Sequence, residues 1–265
     1  MEANGLIMVW YHSENLRPQW SPLQLSAVNE GEWVYQGRNE YHVTCHIQDI
    51  SENGADPAHL DAVHSTSILC GGEPSSGLEK WLDGVVGHHW GIEWRALTDH
   101  PDNRHRAQVK LRHQMKLAGR WNLFSLQVSL DFISIYFYLS TLKSCLLMKV
   151  TADQIGPSLV HLHFQSALMG DAVMIQYVLP LEPMVQKVVH LFYCQPSWWT
   201  LYAKMVLWGE SILFERDVTV WNSKRYVPTP LAGSEDSLLI KHRRWYSQFY
   251  SLPSSKVKGQ ATLLW

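Results

Sequence analysis

The 265-residue sequence contains few cysteines and no paired cysteine motif. Its four cysteines lie far apart, and none forms a Cys-x-x-Cys pair: Cys45, Cys70, Cys145 and Cys194. This spacing argues against a zinc ribbon and against a disulfide framework. The cysteine content therefore favours a reducing, cytosol-facing compartment.

Long hydrophobic runs and an excess of one charge are also lacking. The longest apolar stretch, residues 132–142, is much shorter than the roughly 20 residues of a membrane-spanning helix. The first residues, Met-Glu-Ala-Asn-Gly, do not form a signal peptide. With a formal net charge of −2 and scattered basic residues, the sequence gives no indication of a nucleic-acid partner. On these residues alone we expect a soluble or peripheral protein.

The composition is sufficient for a sizeable hydrophobic core. Hydrophobic residues make up 46% of the chain, which suits one large domain or two small ones. Thirteen Trp and eleven Tyr fit broad apolar pockets or interfaces, because these rings combine a large apolar area with a polar group. A tryptophan-rich core explains them equally well.

One short stretch concentrates metal-binding chemistry. Residues 52–64 read Glu-Asn-Gly-Ala-Asp-Pro-Ala-His-Leu-Asp-Ala-Val-His. The imidazoles of His59 and His64 suit Fe, Zn, Cu or Ni, and such a pair leaves most of a coordination sphere unfilled. A carboxylate from elsewhere would complete the facial triad of a non-haem Fe(II) oxygenase. With 14 histidines in the chain, the pair alone also fits a helix start with two ordinary histidines.

The same stretch predicts a short helix. Pro57 fits only the first turn of a helix, so the helix should begin near Ala55–Pro57 and run through His64. Asp56 and His59 then share a face. His59 and His64 are about 140° apart on an ideal helix, so a shared metal requires a side-facing position or a local distortion.

The complete pattern resembles a known iron site. The order Asn53, Asp56, His59, His64 resembles the iron-site signature of Rieske-type non-haem iron oxygenases. The flanking residues Cys45 to Leu60 are similar to the cholesterol 7-desaturase (Neverland) branch, which is related to bacterial 3-ketosteroid 9α-hydroxylases. The resemblance covers residues 1–128 and 150–252.

The resemblance implies a role for each residue of the site. His59 and His64 would hold a mononuclear Fe(II), with Asp217 from a late helix as the third ligand. Asp56 would not bind iron; it would bridge an iron-binding histidine to a cluster-binding histidine of a neighbouring subunit. Asn53 would lie behind the iron. Two rival carboxylates lie on the same late helix: Glu210 and Glu215.

The resemblance also implies an α+β, helix-grip (START-like) fold. A curved antiparallel sheet would pack on a long C-terminal helix, beside a residual strand of a missing Rieske domain. Residues 1–40 would be the remnant of that domain and a linker, and residues 41–252 the catalytic domain. Within it, residues 122–149 depart from the family pattern and would be an atypical insertion, and residues 253–265 would form a tail. The Cys-x-His and Cys-x-x-His motifs that hold a [2Fe–2S] cluster do not occur in this sequence.

Hydrophobic patterns predict the individual elements. We expect a turn and a buried strand in residues 2–12, and a strand from Tyr41 to Ile50. The other predicted strands are 81–97, 106–117, 157–164, 172–179 and 185–193, and the predicted helices are 201–226 and 238–250. His161 and His163 should share one sheet face, and His88-His89 should belong to the sheet.

The implied reaction is the O2-dependent removal of two hydrogens at C7–C8 of cholesterol, which gives 7-dehydrocholesterol. Electrons would come from NAD(P)H through a reductase partner. The family also implies a homo-oligomer, commonly a trimer, and membrane association at the endoplasmic reticulum facing the cytosol. An alternative is an inactive or truncated sterol- or lipid-binding helix-grip domain. A zinc hydrolase is a weaker alternative, because no Glu lies at an HExxH-like spacing.

Overall fold

A large antiparallel sheet with helices packed on it dominates the structure. The computed structural model describes residues 1–65, 71, 86–117, 125–128, 133–135, 148–166, 170–198, 200–226 and 233–250. Predictions for the rest of residues 122–149, for the tail and for the side chains of His88 and His89 lie outside this description. In the described part of the chain, no helix has the length and apolar character needed to cross a bilayer.

Nine of the described strands form the main sheet. They are β3 (Val34–Val43), β4 (Val86–Ala96), β5 (Arg106–Leu117), β6 (Ser125–Val128), β7 (Ile133–Ile135), β8 (Met148–Ile155), β9 (Leu159–Ser166), β10 (Gly170–Glu182) and β11 (Val185–Cys194). Their order is β3-β11-β10-β9-β8-β5-β6-β7, and β4 pairs with β5 outside this path. All the pairings are antiparallel, which confirms the predicted α+β class. The predicted domain boundary at residue 40 falls inside β3.

Both faces of the central strands are buried. In β10, Ala172 and Met174 face one hydrophobic cluster, whereas Val173 and Ile175 face another. Successive side chains of a strand point to opposite faces, so a strand covered on both sides reads as a continuous apolar run. The sequence Ala-Val-Met-Ile at positions 172–175 follows from this double burial.

The longest described helix, α4 (Thr200–Asn222), covers one face of the sheet. Ala203 and Leu207 pack with Phe192, and Phe214 and Trp221 pack in a second cluster with Val43, Val178 and Val188. The predicted helix over 201–226 is therefore confirmed for most of its length. Its sheet-facing residues recur at helical spacing, which fixes the rotation of the helix about its axis.

The N-terminal segment covers the opposite face. Its residues Met8, Trp20, Val28 and Trp33 pack with the other cluster of the sheet. A Cβ at Gly156, where φ is +61°, would lie 2.2 Å from the Trp20 ring, so only glycine allows this close approach.

The prediction of a buried strand in residues 2–12 is wrong. Asn4 and Gly5 both adopt positive φ and form the turn of a small hairpin between β1 (Glu2–Ala3) and β2 (Leu6–Ile7). Ile7 is 86% exposed and Val9 84% exposed, whereas Leu6 and Met8 point toward the sheet. Each strand has only two residues, and only the side of the segment that carries Leu6 and Met8 packs on the sheet.

The predicted strand from Tyr41 to Ile50 is also wrong in its second half. β3 begins earlier, at Val34, and ends at Val43, and residues 47–52 form helix α2 (Ile47–Glu52). A capping box starts this helix: His46 accepts a hydrogen bond from the backbone, and Asp49 accepts one from the backbone N–H of His46. The two remaining described helices before β4 are α1 (Ser26–Asn29) and α3 (Pro57–Val63).

The last described helix, α5 (Ser237–Tyr246), packs Trp245 and Tyr246 against Trp94 and Ala55. It confirms the predicted helix at 238–250, which ends in a short 3-10 turn, Ser247–Phe249. The strands predicted at 106–117, 157–164, 172–179 and 185–193 are confirmed as β5, β9, β10 and β11. The strand predicted at 81–97 is confirmed as β4 over its described residues.

Candidate metal centre

Helix α3 positions His59 through the residue that caps its N-terminus. The carboxylate of Asp56 accepts hydrogen bonds from the backbone N–H groups of Ala58 and His59, at 3.0 and 3.3 Å. The carbonyl oxygen of Asp56 accepts a hydrogen bond from Nδ1 of His59 at 2.6 Å. This bond fixes the tautomer and orientation of the imidazole and leaves Nε2 of His59 available to a metal ion.

His64 lies just beyond the end of α3. Its backbone leaves helical geometry, with φ −109° and ψ 7°, after the helix ends at Val63. The ring centroids of His59 and His64 lie 5.4 Å apart. The end of the helix thus provides the local distortion that a shared metal requires for two histidines separated by about 140° on an ideal helix.

Asp217 approaches from α4. It lies on the buried side of the helix, as do Phe214 and Trp221, and is itself 8% exposed. One of its oxygens, Oδ1, lies 3.1 Å from Nε2 of His64. The packing of α4 on the sheet therefore brings this carboxylate to His64.

The three side chains converge on one point. One ligand atom from each of His59, His64 and Asp217 lies within 4.8 Å of the other two. Ligand atoms bound about 2.1 Å from a shared ion are about 3 to 4 Å apart, so small side-chain rotations suffice to bind one. Within the described part of the chain, no other three histidine, cysteine or acidic side chains converge in this way. Two imidazoles and a carboxylate fit a divalent transition-metal ion.

Burial favours the neutral form of His59. Desolvation lowers the pKa of His59, and this effect exceeds the opposite influence of the nearby Asp217 carboxylate. A lower pKa keeps the imidazole neutral at neutral pH. Neutral imidazole is the form that binds metals.

Of the other predicted site residues, Asn53 and Asp56 lie just before α3, whereas Glu210 and Glu215 do not join the two histidines. Asn53 begins a 3-10 turn, Asn53–Ala55, that links α2 to α3, and Asp56 is the cap already described. Glu210 instead lies 2.7 Å from Nδ1 of the buried His190 and accepts a hydrogen bond from Asn39. Glu215 is exposed. Of the three candidate carboxylates on α4, the structure brings only Asp217 to the histidines.

Arg216 is a residue of the site that the sequence does not single out. It is 2% exposed, and its guanidinium donates hydrogen bonds to the carbonyl of Gly71 at 2.9 and 3.0 Å and to that of Val63 at 3.4 Å. It therefore ties α4 to the chain on both sides of His64. In the sequence, only its position next to Asp217 points to it. The hydrogen bonds given above go to backbone carbonyls, which no side-chain motif reveals.

His161 and His163 lie on the face of the sheet opposite to α4. They share that face with Leu159, which packs in the cluster covered by the N-terminal segment. Nε2 of His163 lies 3.5 Å from Asp153. The two histidines share one face, as predicted, but that face is not the one that bears the metal-binding triad.

Comparison with known structures defines the class of fold. The chain aligns with the crystal structure of dicamba monooxygenase bound to dicamba at a TM-score of 0.56 and 11% identity, over 96% of this chain and 70% of that chain. The large antiparallel sheet with its helices is similar to the catalytic domains of Rieske oxygenases.

Sequence comparison defines the family. The chain belongs to the 3-ketosteroid 9alpha-hydroxylase C-terminal domain family, whose sequence profile matches residues 9–250. It is 38% identical to cholesterol 7-desaturase nvd of Xenopus laevis (98% of this chain, 52% of the relative) and 37% identical to that of Drosophila melanogaster (98% and 54%). A bacterial relative, the oxygenase component of 3-ketosteroid-9-alpha-monooxygenase of Rhodococcus rhodochrous, is 23% identical (94% and 58%). The predicted family is confirmed, and the chain spans about half the length of these curated relatives.

Proposed function

We propose that this chain is the iron-binding catalytic part of a sterol desaturase. The reaction is the removal of two hydrogens at C7–C8 of cholesterol, which gives 7-dehydrocholesterol. The convergence of His59, His64 and Asp217 is the observation that carries this proposal. The names of the relatives support the sterol substrate, since seven of them are cholesterol 7-desaturases.

The protein's contribution is to hold three ligands in a dry, fixed arrangement. The carbonyl of Asp56 holds the ring of His59, and Arg216 holds the chain around His64 against α4. The side chains of His64 and Asp217 are 6% and 11% exposed, so little water reaches them. Bound by these residues, Fe(II) would supply the redox chemistry with dioxygen that no amino-acid side chain provides.

Electron delivery requires partners outside this sequence. Dioxygen-dependent desaturation consumes electrons, which we assign to NAD(P)H, a reductase and a [2Fe–2S] cluster held by residues not present in this sequence. We propose that Asp56 lies on the route into the site. Its carbonyl accepts a hydrogen bond from the ring of His59, and only one oxygen of its carboxylate, Oδ1, accepts the N–H groups that cap α3. The second carboxylate oxygen would accept a hydrogen bond from the electron donor, and Asp56→Asn removes the negative charge of this group while it keeps an N-cap residue.

The assembly and the cellular location are part of the same proposal. Electron transfer between subunits implies a ring-shaped homo-oligomer. A sterol substrate resides in membranes, so we place the protein at the membrane of the endoplasmic reticulum, facing the cytosol.

Iron reconstitution tests the proposed site. Under anaerobic conditions the chain should bind one Fe(II), and both His59→Ala and Asp217→Ala should lose stoichiometric iron while they keep the sheet and helix signals in circular dichroism. Glu215→Ala, at an exposed acid on the same helix, is the control and should bind as the parent does. Stoichiometric iron in folded Asp217→Ala would remove the third ligand.

Turnover tests the reaction separately from metal binding. The iron-loaded chain, supplied with hydrogen peroxide in place of reductase and cluster, should convert cholesterol to 7-dehydrocholesterol, as measured by mass spectrometry. Asp56→Asn should keep its iron and its peroxide-driven activity and lose only reductant-driven turnover in a chain that carries the cluster domain. Iron and cholesterol binding without any product would instead indicate a sterol-binding module.

A further inference from the structure

A basic groove lies apart from the metal-binding triad. Its volume is about 580 Å³, and it opens between the end of β4, the turn before β5 and one side of α5. Four basic side chains and two tryptophans line it: Arg95, Arg104, Lys241, Arg244, Trp94 and Trp245. The tryptophans are each 7% exposed, so their rings form a largely buried wall.

Among the described residues, no carboxylate forms an ion pair with the four basic side chains of the groove. None of the described residues that line the groove is acidic, and all four basic residues are exposed. Arg95 donates a hydrogen bond to the neutral Gln108 at 3.0 Å. The acidic residues of the adjoining turn, Asp99 and Asp102, do not line the groove. A chain with a net charge of −2 therefore presents four positive charges in one concavity, which attracts anions.

The groove is held in shape by bonds between its walls. The indole N–H of Trp245 donates to the carbonyl of Arg104 at 2.9 Å, and the amide of Gln248 donates to the same carbonyl at 3.1 Å. Lys241 and Arg244 lie one turn apart on one side of α5, and Gln248 follows in the 3-10 turn at its end. Because these bonds fix the turn to the helix before any ligand arrives, binding requires little ordering of the backbone.

We propose that this groove binds an organic anion that carries phosphate groups. Arginine guanidinium groups match phosphate oxygens with paired hydrogen bonds, and four cations suit a ligand with two or more negative charges. The volume falls in the range of small-molecule sites, roughly 300 to 1,000 Å³. An anionic phospholipid headgroup and a soluble phosphate ester share this chemistry. The site is independent of iron and of the proposed desaturation.

Pyrophosphate is the probe for the shared chemistry, measured by calorimetry with protein free of added metal. Binding by the parent chain should weaken as salt rises. Arg104→Glu/Arg244→Glu should bind at least about tenfold more weakly, because two charged hydrogen-bond donors are lost. The control Arg17→Glu/Arg225→Glu makes the same charge change at exposed sites outside the groove and should bind within about twofold of the parent. An equal loss in the control would overturn the proposal.

Vesicles distinguish the two sources of phosphate. Cosedimentation with phosphatidylcholine vesicles that contain phosphatidylserine, and not with phosphatidylcholine alone, supports a lipid headgroup. Pyrophosphate binding without vesicle binding supports a soluble phosphate ester. The proposal is overturned if the chain binds neither pyrophosphate nor the phosphatidylserine vesicles. It is also overturned if the groove binds an acidic peptide but neither of these probes. If the double reversal fails to fold, Arg104→Gln/Arg244→Gln removes the same two positive charges without adding negative ones, and it should also weaken pyrophosphate binding.

Discussion

At the scale of residues, the geometry of the metal-binding triad depends on the partners of its ligands. His59 is oriented by a backbone carbonyl, His64 lies at the end of a helix, and Asp217 lies on the buried side of α4. The sequence predicted the three side chains that converge, because the resemblance matches a residue pattern. It could not identify Arg216, whose hydrogen bonds join residues brought together only by the folded chain.

Arg216 should act as a positioning residue for His64. Arg216→Met removes the hydrogen bonds to Gly71 and Val63 and should weaken Co(II) binding about tenfold, as changes to groups that orient metal ligands commonly do. Arg216→Lys keeps the positive charge but has fewer hydrogen-bond donors, so its affinity for Co(II) should lie between those of the parent chain and Arg216→Met. The Co(II) absorption spectrum measures both affinity and ligand geometry, with exposed Glu215→Gln as control. An unchanged spectrum and affinity in folded Arg216→Met would contradict this role.

At the scale of elements, local patterns predicted the long strands and helices and failed at short ones. Val43 and Cys45 are both buried, so the alternation of apolar and polar residues up to position 45 correctly indicates which side chains face the core. The chain nevertheless leaves the sheet after Val43, because His46 and Asp49 cap a helix that periodicity alone does not reveal. Long elements average over many residues, whereas a six-residue helix depends on one cap and on tertiary contacts.

Helix α2 is held by buried ion pairs from two other elements. Asp49 pairs with Lys224, just after α4, and accepts a hydrogen bond from Tyr226. Glu52 accepts two hydrogen bonds from Arg243 of α5, at 2.7 and 3.0 Å. These contacts fix α2, and with it the turn that leads to the metal-binding histidines.

Removal of the Arg243 side chain should therefore loosen the approach to the site. Arg243→Met leaves the carboxylate of Glu52, whose side chain is 7% exposed, without its charged partner and should cost about 3 kcal/mol of unfolding free energy. Urea unfolding measures the loss. Arg244→Met, at the exposed neighbouring position, is the control and should change stability by less than about 0.5 kcal/mol. Equal stability of the two variants would show that the pair does not hold α2.

At the scale of the whole molecule, strand order is what the sequence could not supply. The first strand of the sheet, β3, pairs with the last, β11, and β8 pairs with β5 across a long intervening segment. Strand patterns give the elements but not their neighbours, since many orders bury the same residues. The family resemblance supplied the fold class for this reason.

Two buried neutral histidines should make the fold sensitive to mild acid. Burial lowers the pKa of His242 to about 3 and that of His161 to about 4, from an ordinary value of 6.5. As pH falls below 6.5, these two histidines take up protons in the unfolded chain but stay neutral in the folded chain. Their contribution to the free energy of unfolding is therefore complete above pH 6.5 and is lost as the pH falls below it. Between pH 7 and 5 each histidine should account for about 2 kcal/mol of lost stability.

Urea unfolding at the two pH values tests this dependence. His242→Phe should lose about 2 kcal/mol less than the parent chain over this interval, whatever its stability at pH 7. His100→Gln, at an exposed histidine, should lose as much as the parent does. A pH dependence that is identical in His242→Phe and the parent would show that this ring does not stay neutral in the folded chain.

The position of His64 and Asp217 in the chain has a mechanical consequence. They are roughly 150 positions apart, and closing so large a loop is entropically costly. A metal ion bound by both would act as a removable crosslink between the early and late parts of the fold. Loading with Fe(II) should therefore raise the free energy of unfolding of the chain, and addition of a chelator should reverse this gain.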